Sequence, residues 1–363
     1  MAYTVEQIAT ALGVQAFGAV DLLVSGVAEP ATAGPTDLAL AMKPEYAAGI
    51  AEGQSQIAML WEGADWKALG LKAALTSPRP RFAMSGLSAM MDPGQGFEAG
   101  VHPSATVHPT AEFGADVSVG PGAVIGARAR IDAGSVIGPL CFVGADSVLG
   151  ESAFLREHVS VGRGVAIGAR FIAQPGARIG GDGFSYVTPE VSGVERMRET
   201  LGDQGEVTSQ SWARIHSLGG VEIGDDVELG ANACVDCGTV RATRIGNGVK
   251  VDNLAQIGHN VEIGQDTMVC AQVGIAGSSK IGKNVVLGGQ SGVSDNVFVG
   301  DNVITGGATK VLANVPAGRV MLGYPATKMT SQMETYKALR RLPRLFRDVA
   351  ALQREVFKRS HND

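Results

Sequence analysis

The sequence predicts a mainly β chain: a left-handed parallel β-helix, preceded by a small α/β domain and followed by a helical tail. Three observations predict it. From Val101 onward an aliphatic residue recurs every six positions, 50 glycines stand against only 5% aromatic residues, and Val and Ile are abundant in short runs. A period of six is neither the 3.6 of a helix nor the 2 of a strand. It fits one short strand plus one corner, and three such faces close a triangular coil of about 18 residues.

Residues 1–100 begin with Val5, Ile8, Ala9 and Leu12 at helical spacing. Mixed apolar runs follow, with Pro78, Pro80 and Pro93 as punctuation and a linker near 92–100. This stretch reads as a small α/β domain. The repeats occupy 101–316. Their first place holds Val101, Val107, Phe113, Val119, Ile125, Ile131 and so on to Ile179. The second place is usually Gly, as at Gly114, Gly120, Gly126 and Gly138, and is read as the residue that permits the corner. The fifth is small or β-branched, as at Ala105, Val117 and Ser135.

The phase returns at Ile223, Leu229 and Val235, and again from Ile245 to Val299. These hexapeptide repeats amount to about ten coils, roughly 45 Å of stacked strands. Between them, residues 184–222 carry Glu190, Glu195, Arg196, Arg198, Glu199, Asp203 and Glu206, so this segment is expected to leave the coil as an excursion loop. Residues 317–363 form the tail. From Thr327 it holds nine basic and four acidic side chains, net +5, with Met333, Tyr336, Leu339, Leu342, Leu345, Val349, Leu352 and Val356 at helical spacing. Pro343 is expected to kink or split that helix.

Composition excludes several classes of function. The net charge of −6 argues against a nucleic-acid partner. No stretch reaches 18 uninterrupted apolar residues, so no membrane span is expected. The N-terminal residues do not read as a signal peptide, and four cysteines in 363 residues make no disulfide framework. A cytoplasmic protein is the expectation. Cys234 and Cys237 form a C-x2-C pair without a second pair or a histidine cluster at metal-ligand spacing, so no metal is expected.

The chemistry must then come from few residues. The six histidines are His102, His108, His158, His216, His259 and His361. His259 occupies a third place, where the first run holds Pro103, Pro109, Ala115 and Pro121 and never a large apolar residue, so it faces outward. An exposed imidazole ordinarily exchanges its proton near neutral pH and can act as a base. A solvated corner histidine has the same position, and both readings stay open. One coil later stands Gly277. A glycine there leaves its N–H accessible, as an oxyanion donor requires, although it equally suits a plain corner.

The order of these parts, with Ile179-Gly180-Gly181-Asp182-Gly183-Phe184-Ser185-Tyr186, the run from Ile223 to Asn232, the run from Ile245 to Asn260 and the following Ala276-Gly277-Ser278-Ser279, resembles the UDP-3-O-(3-hydroxyacyl)glucosamine N-acyltransferase family of lipid A biosynthesis. The resemblance covers most of the chain. It implies a cytoplasmic homotrimer with active sites between adjacent β-helices. Each would move a 3-hydroxyacyl group from acyl carrier protein to the 2-amine of a UDP-glucosamine already bearing one acyl chain, with the carrier thioester as co-substrate and no cofactor.

The same resemblance places the catalytic histidine on His259, the oxyanion amide on Gly277 and an Asp-Asn pair on Asp252 and Asn253, with Asp252 orienting the imidazole or the sugar. The family's uridine-binding aromatic, asparagine and tyrosine fall on Leu40, Lys43 and Tyr46, and a second family histidine falls on Asn296. Tyr46 is expected to stack on uracil, with Leu40 as an apolar second wall and Lys43 in reach of a phosphate. Arg340 and Arg344 on the basic tail are expected to meet the acidic carrier. Two other readings share the period: an O-acyltransferase or acetyltransferase acting on a nucleotide sugar, and a non-catalytic solenoid that binds one.

Overall fold

The computed structural model describes residues 2–200, 202–203, 205–206, 208–323 and 326–359; His361 lies outside them. The chain divides into two units, Met1–Phe97 and Glu98–Asp363, the second holding both the solenoid and the tail.

In the first unit, helix α1 (Val5–Leu12) starts on a reciprocal capping box between Thr4 and Gln7 and stops at Gly13, which has φ 62°. Helix α2 (Pro80–Met91) begins on Pro80, so this proline opens a helix instead of punctuating a loop. A five-stranded sheet runs in the order Gln15–Gly18, Ala73–Ser77, Ile57–Trp61, Asp37–Ala41, Gly26–Ala28. Only the first strand is antiparallel to its neighbour. Alternation then separates two cores. Leu38, Ile57, Met59 and Leu75 pack with Val5, Ile8 and Leu87 of the helices, while Ala39, Ala58, Leu60 and Ala74 pack with Ile50 on the other face.

The second unit is a left-handed parallel β-helix of three sheets with ten, ten and nine strands. Ser118 pairs with Val136, Val124 with Phe142 and Arg130 with Val148, the 18-residue step expected of a triangular coil. First-place Ile125, Ile131, Ile137 and Leu149 are buried along the axis. Fifth-place Ser135 and Ser147 are buried beside them and donate their hydroxyls to the carbonyls of Gly150 and Gly162, which removes the cost of burying them.

The corners differ from expectation in one respect. The left-handed backbone sits at the fourth place, with φ from 53° to 62° at residues such as Asp116, Arg128, Leu140 and Asn284. Second-place glycines serve close approach instead: a Cβ on Gly144 would stand 2.6 Å from the Arg163 nitrogen of the next coil.

Two insertions interrupt the stacking. Ile179 pairs with Val235 across the excursion, which contains the hairpin Tyr186–Val187 with Ala213–Arg214 and helix α3 (Gly193–Thr200). Val235 then pairs with Ile257, a longer step that absorbs a short bulge around 238–242. Helix α4 (Met329–Arg359) continues through Pro343 without being split. One missing N–H is a local loss, and the 31-residue helix resumes beyond it.

Candidate active site

His259 follows the strand Gln256–Ile257, whose partner in the next coil is Gly274–Ile275. That register carries residue 259 over residue 277, and the Ser278 N–H donates to the His259 carbonyl at 2.8 Å. The half-buried imidazole lies over Gly277: a Cβ there would stand 2.6 Å from both Cε1 and Nε2. A glycine is therefore required at 277 by the ring itself. Its own N–H has no backbone or side-chain acceptor among the described residues.

The bulge around 238–242 holds the residue that orients the ring. Asn260 is buried and donates its Nδ2 to the Arg241 carbonyl at 2.8 Å, which fixes its Oδ1 on the opposite side. That oxygen accepts from the Thr239 N–H and hydroxyl and lies 3.0 Å from His259 Nδ1. Since Oδ1 can only accept, the network assigns the proton to Nδ1 and leaves the Nε2 lone pair open. Asn260 escaped the sequence reading. Its signal was the longer interval between Val235 and Ile245, which places residues 239–241 against it.

Nearby, burial pushes the Asp236 carboxyl above the usual carboxylate range, opposed by a hydrogen bond with Gln256 and by the charge of His259. A cavity of about 800 Å³ joins His259, Gly277, Asp295 and Asn296 to the excursion's Phe184, Tyr186, Val194 and Trp212. Asn296 also donates its N–H to the Gly277 carbonyl at 3.1 Å.

The Asp-Asn pair lies elsewhere. Asp252 and Asn253 sit one corner earlier and line a separate cavity of about 540 Å³ with Lys250 and Cys270. Asp252 accepts from the Asn253 N–H, and Asn253 Oδ1 accepts from the Ala231 N–H of the preceding coil. Within one chain Asp252 thus does not orient the imidazole, a place that Asn260 takes.

In the first unit, Tyr46 is 49% exposed on the 3-10 segment Pro44–Ala51, and Lys43 pairs with Glu45 at 3.3 Å. Leu40 differs from its expected role. It is half-buried against the cluster beneath α1 and α2, so its apolar surface is largely spent inside the domain. Arg340 and Arg344 are exposed on α4, where Arg344 lies 3.8 Å from Asp348. Among the described residues no three His, Cys, Asp or Glu side chains converge as a metal site, and no helix is long and apolar enough to cross a membrane.

Comparison with known proteins identifies the family. Residues 242–277, which include both His259 and Gly277, match the family model "Bacterial transferase hexapeptide (six repeats)". The UDP-3-O-acylglucosamine N-acyltransferase of Ruegeria pomeroyi is 63% identical over 358 residues, covering 99% of each chain. The enzyme of the same name from Paracoccus denitrificans is 58% identical over 99% of this chain and 98% of its own. The chain belongs to the UDP-3-O-acylglucosamine N-acyltransferase family. It is an acyltransferase, and the family likeness extends to Pseudomonas paraeruginosa, whose enzyme is 45% identical over 77% of this chain and 73% of its own.

Proposed function

We propose that this acyltransferase moves a 3-hydroxyacyl chain from acyl carrier protein to the 2-amine of UDP-3-O-acyl-glucosamine in lipid A biosynthesis, in the cytoplasm and without a cofactor. The observation that carries the reading is an imidazole with an open Nε2, held by Asn260 over Gly277, whose N–H has no acceptor among the described residues. Amine attack on a thioester needs these two functions. The C–N bond forms as the carbonyl oxygen gains charge, which the Gly277 N–H stabilises. His259 Nε2 takes the amine proton. The C–S bond then breaks, and the proton passes from the imidazole to the departing thiolate or to solvent. A thiol ordinarily ionises near pH 8.5, so the leaving group needs no strong acid.

A homotrimer suits the separation of the two cavities. In a ring of three copies, the corner bearing Asp252 and Asn253 on one β-helix can face the corner bearing His259 on the next, which gives the Asp-Asn pair access to the sugar. Light scattering is expected to give three chains per particle; an active monomer would refute this assembly.

Mass spectrometry tests the reaction directly. After incubation with UDP-3-O-acyl-glucosamine and 3-hydroxyacyl carriers, the product should carry one new amide-linked chain. Acylation of a hydroxyl, acetyl transfer, or thioester left unconsumed would overturn the reading.

For carrier docking, the support is the exposed basic face of α4. Arg340→Glu with Arg344→Glu should raise the carrier KM by roughly tenfold at low salt and flatten its salt dependence, with the sugar KM unchanged. An unchanged carrier KM at low salt would remove the docking role.

A further inference from the structure

We propose that Gly183, in the neck of the excursion, is a positioning residue that seats the His259 imidazole, a role that rests on the reading of His259 as the base. A Cβ at residue 183 would stand 2.7 Å from His259 Cβ, 3.2 Å from its Cγ and 3.3 Å from the Cys237 carbonyl oxygen. The backbone of Gly183 is outside the left-handed region, so any residue could adopt it and only the space forbids a side chain. Gly181, two residues earlier, has nothing within 4 Å of the same position. The requirement for glycine therefore belongs to the contact with His259 and not to the turn.

Neither side of that contact can easily retreat. The His259 backbone is held by its coil, through Gly258 N–H to the Ile275 carbonyl at 2.9 Å and Ser278 N–H to the His259 carbonyl at 2.8 Å. The neck is held across its two strands. Gly183 donates its N–H to Ser217 Oγ at 2.9 Å, Arg214 pairs with Asp182 at 2.7 Å, and the Ile215 N–H meets the Ser185 carbonyl at 3.0 Å. The imidazole is thus fixed from three directions: Gly183 against Cβ and Cγ, Gly277 under Cε1 and Nε2, and Asn260 Oδ1 at Nδ1. The excursion consequently does more than cover the cavity. Its neck sets the rotamer from which Nε2 reaches the amine.

The test compares Gly183→Ala, Gly181→Ala and Ser217→Ala in the full-length protein, reading kcat, both substrate KM values and the His259 ring signal in 13Cε1-histidine-labelled protein. Assignment comes from the signal lost in His259→Ala. Gly183→Ala should lower kcat by about 10- to 100-fold with KM values within about twofold, and should shift the His259 signal, since small misplacements of a reacting group are costly. Gly181→Ala should change neither. Ser217→Ala, which frees the neck without a clash, should lower kcat by roughly three- to tenfold and also move the ring signal.

An unmoved His259 signal in Gly183→Ala, or an equal loss of kcat in Gly181→Ala, overturns the proposal. If Gly183→Ala does not fold, Ser217→Ala decides it, and an unmoved signal there is equally fatal. The ring signal is read without turnover, so a failure of the acyl-transfer reading would appear separately, as a wild-type protein that leaves the thioester intact.

Discussion

His259→Ala lowers kcat by about 10²–10⁴-fold, the usual contribution of a positioned general base, while the fold and assembly persist. The side chain stands at a coil corner outside the aliphatic core, so its loss opens no cavity along the axis. The pH profile separates a base from a residue that merely shapes the pocket. In the wild type, kcat/KM should fall on the acid side, where the base is lost to protonation. The alanine variant should lack that limb. Near-normal turnover with the same acid limb would make His259 a surface histidine. Gly277 offers no equally clean test, because any side chain there meets the ring at 2.6 Å and displaces the base along with the donor. Asn260→Ala is more informative, since it removes the acceptor at Nδ1 and leaves Nε2 over Gly277.

How far the sequence could be read follows from the geometry of a solenoid. Each coil touches only its neighbours, so contact between coils is a fixed step along the chain. The 18-residue step was enough to stack residue 277 over residue 259, and the aliphatic first place was enough to define the axis. What departed from that step was hidden. Asn260 meets residues 239–241 only because a short bulge lengthens one coil, and Gly183 meets His259 only because the excursion folds back at its neck. Asp252 seemed close to His259 in sequence, yet seven residues along a triangular coil lead past a corner.

Single residues misled for local reasons. Second-place glycines looked like corner residues but are needed for the approach of the next coil, while the left-handed fourth place is filled by Asp, Asn, Arg and even Leu. The fourth-place N–H donates to the coil before, as from Leu140 to the Pro121 carbonyl at 3.0 Å and from Asp146 to the Ala127 carbonyl at 2.9 Å, which holds that backbone in place. Pro343 looked like a break, and α4 runs through it. Leu40 looked like a binding wall, and strand alternation turns it toward α1 and α2.

The excursion and the bulge converge on one corner, and elsewhere the 18-residue step holds until the last coil, where Ile304 pairs with Val320. A regular solenoid presents the same surface at every step, so a site needs a break in the repeat to become distinct. Here the breaks supply the parts that the repeat cannot: partners at 239 and 241 that fix the Asn260 amide against the ring, a neck to seat the ring, and aromatic surface facing it.

Tyr46→Ala raises the KM for the UDP-sugar by roughly 5- to 150-fold, corresponding to about 1–3 kcal/mol of lost base stacking, with kcat nearly unchanged. The prediction rests on a ring that is exposed without evident structural need. The segment Pro44–Ala51 is anchored by buried Ile50, and the Tyr46 N–H bonds to the Lys43 carbonyl at 3.0 Å, so the backbone keeps its shape when the ring is removed. A flat aromatic face suits a pyrimidine base because stacking requires no particular hydrogen-bond pattern. Lys43 gives the contrast. Its partner Glu45 is a surface ion pair worth little, so the lysine can exchange it for a phosphate at small cost. Lys43→Ala should therefore weaken UDP-sugar binding less than Tyr46→Ala, and its effect should diminish with salt. Calorimetry with UDP alone isolates the binding step from turnover. If UDP binds Tyr46→Ala as tightly as it binds the wild type, the first unit does not hold the base through this ring.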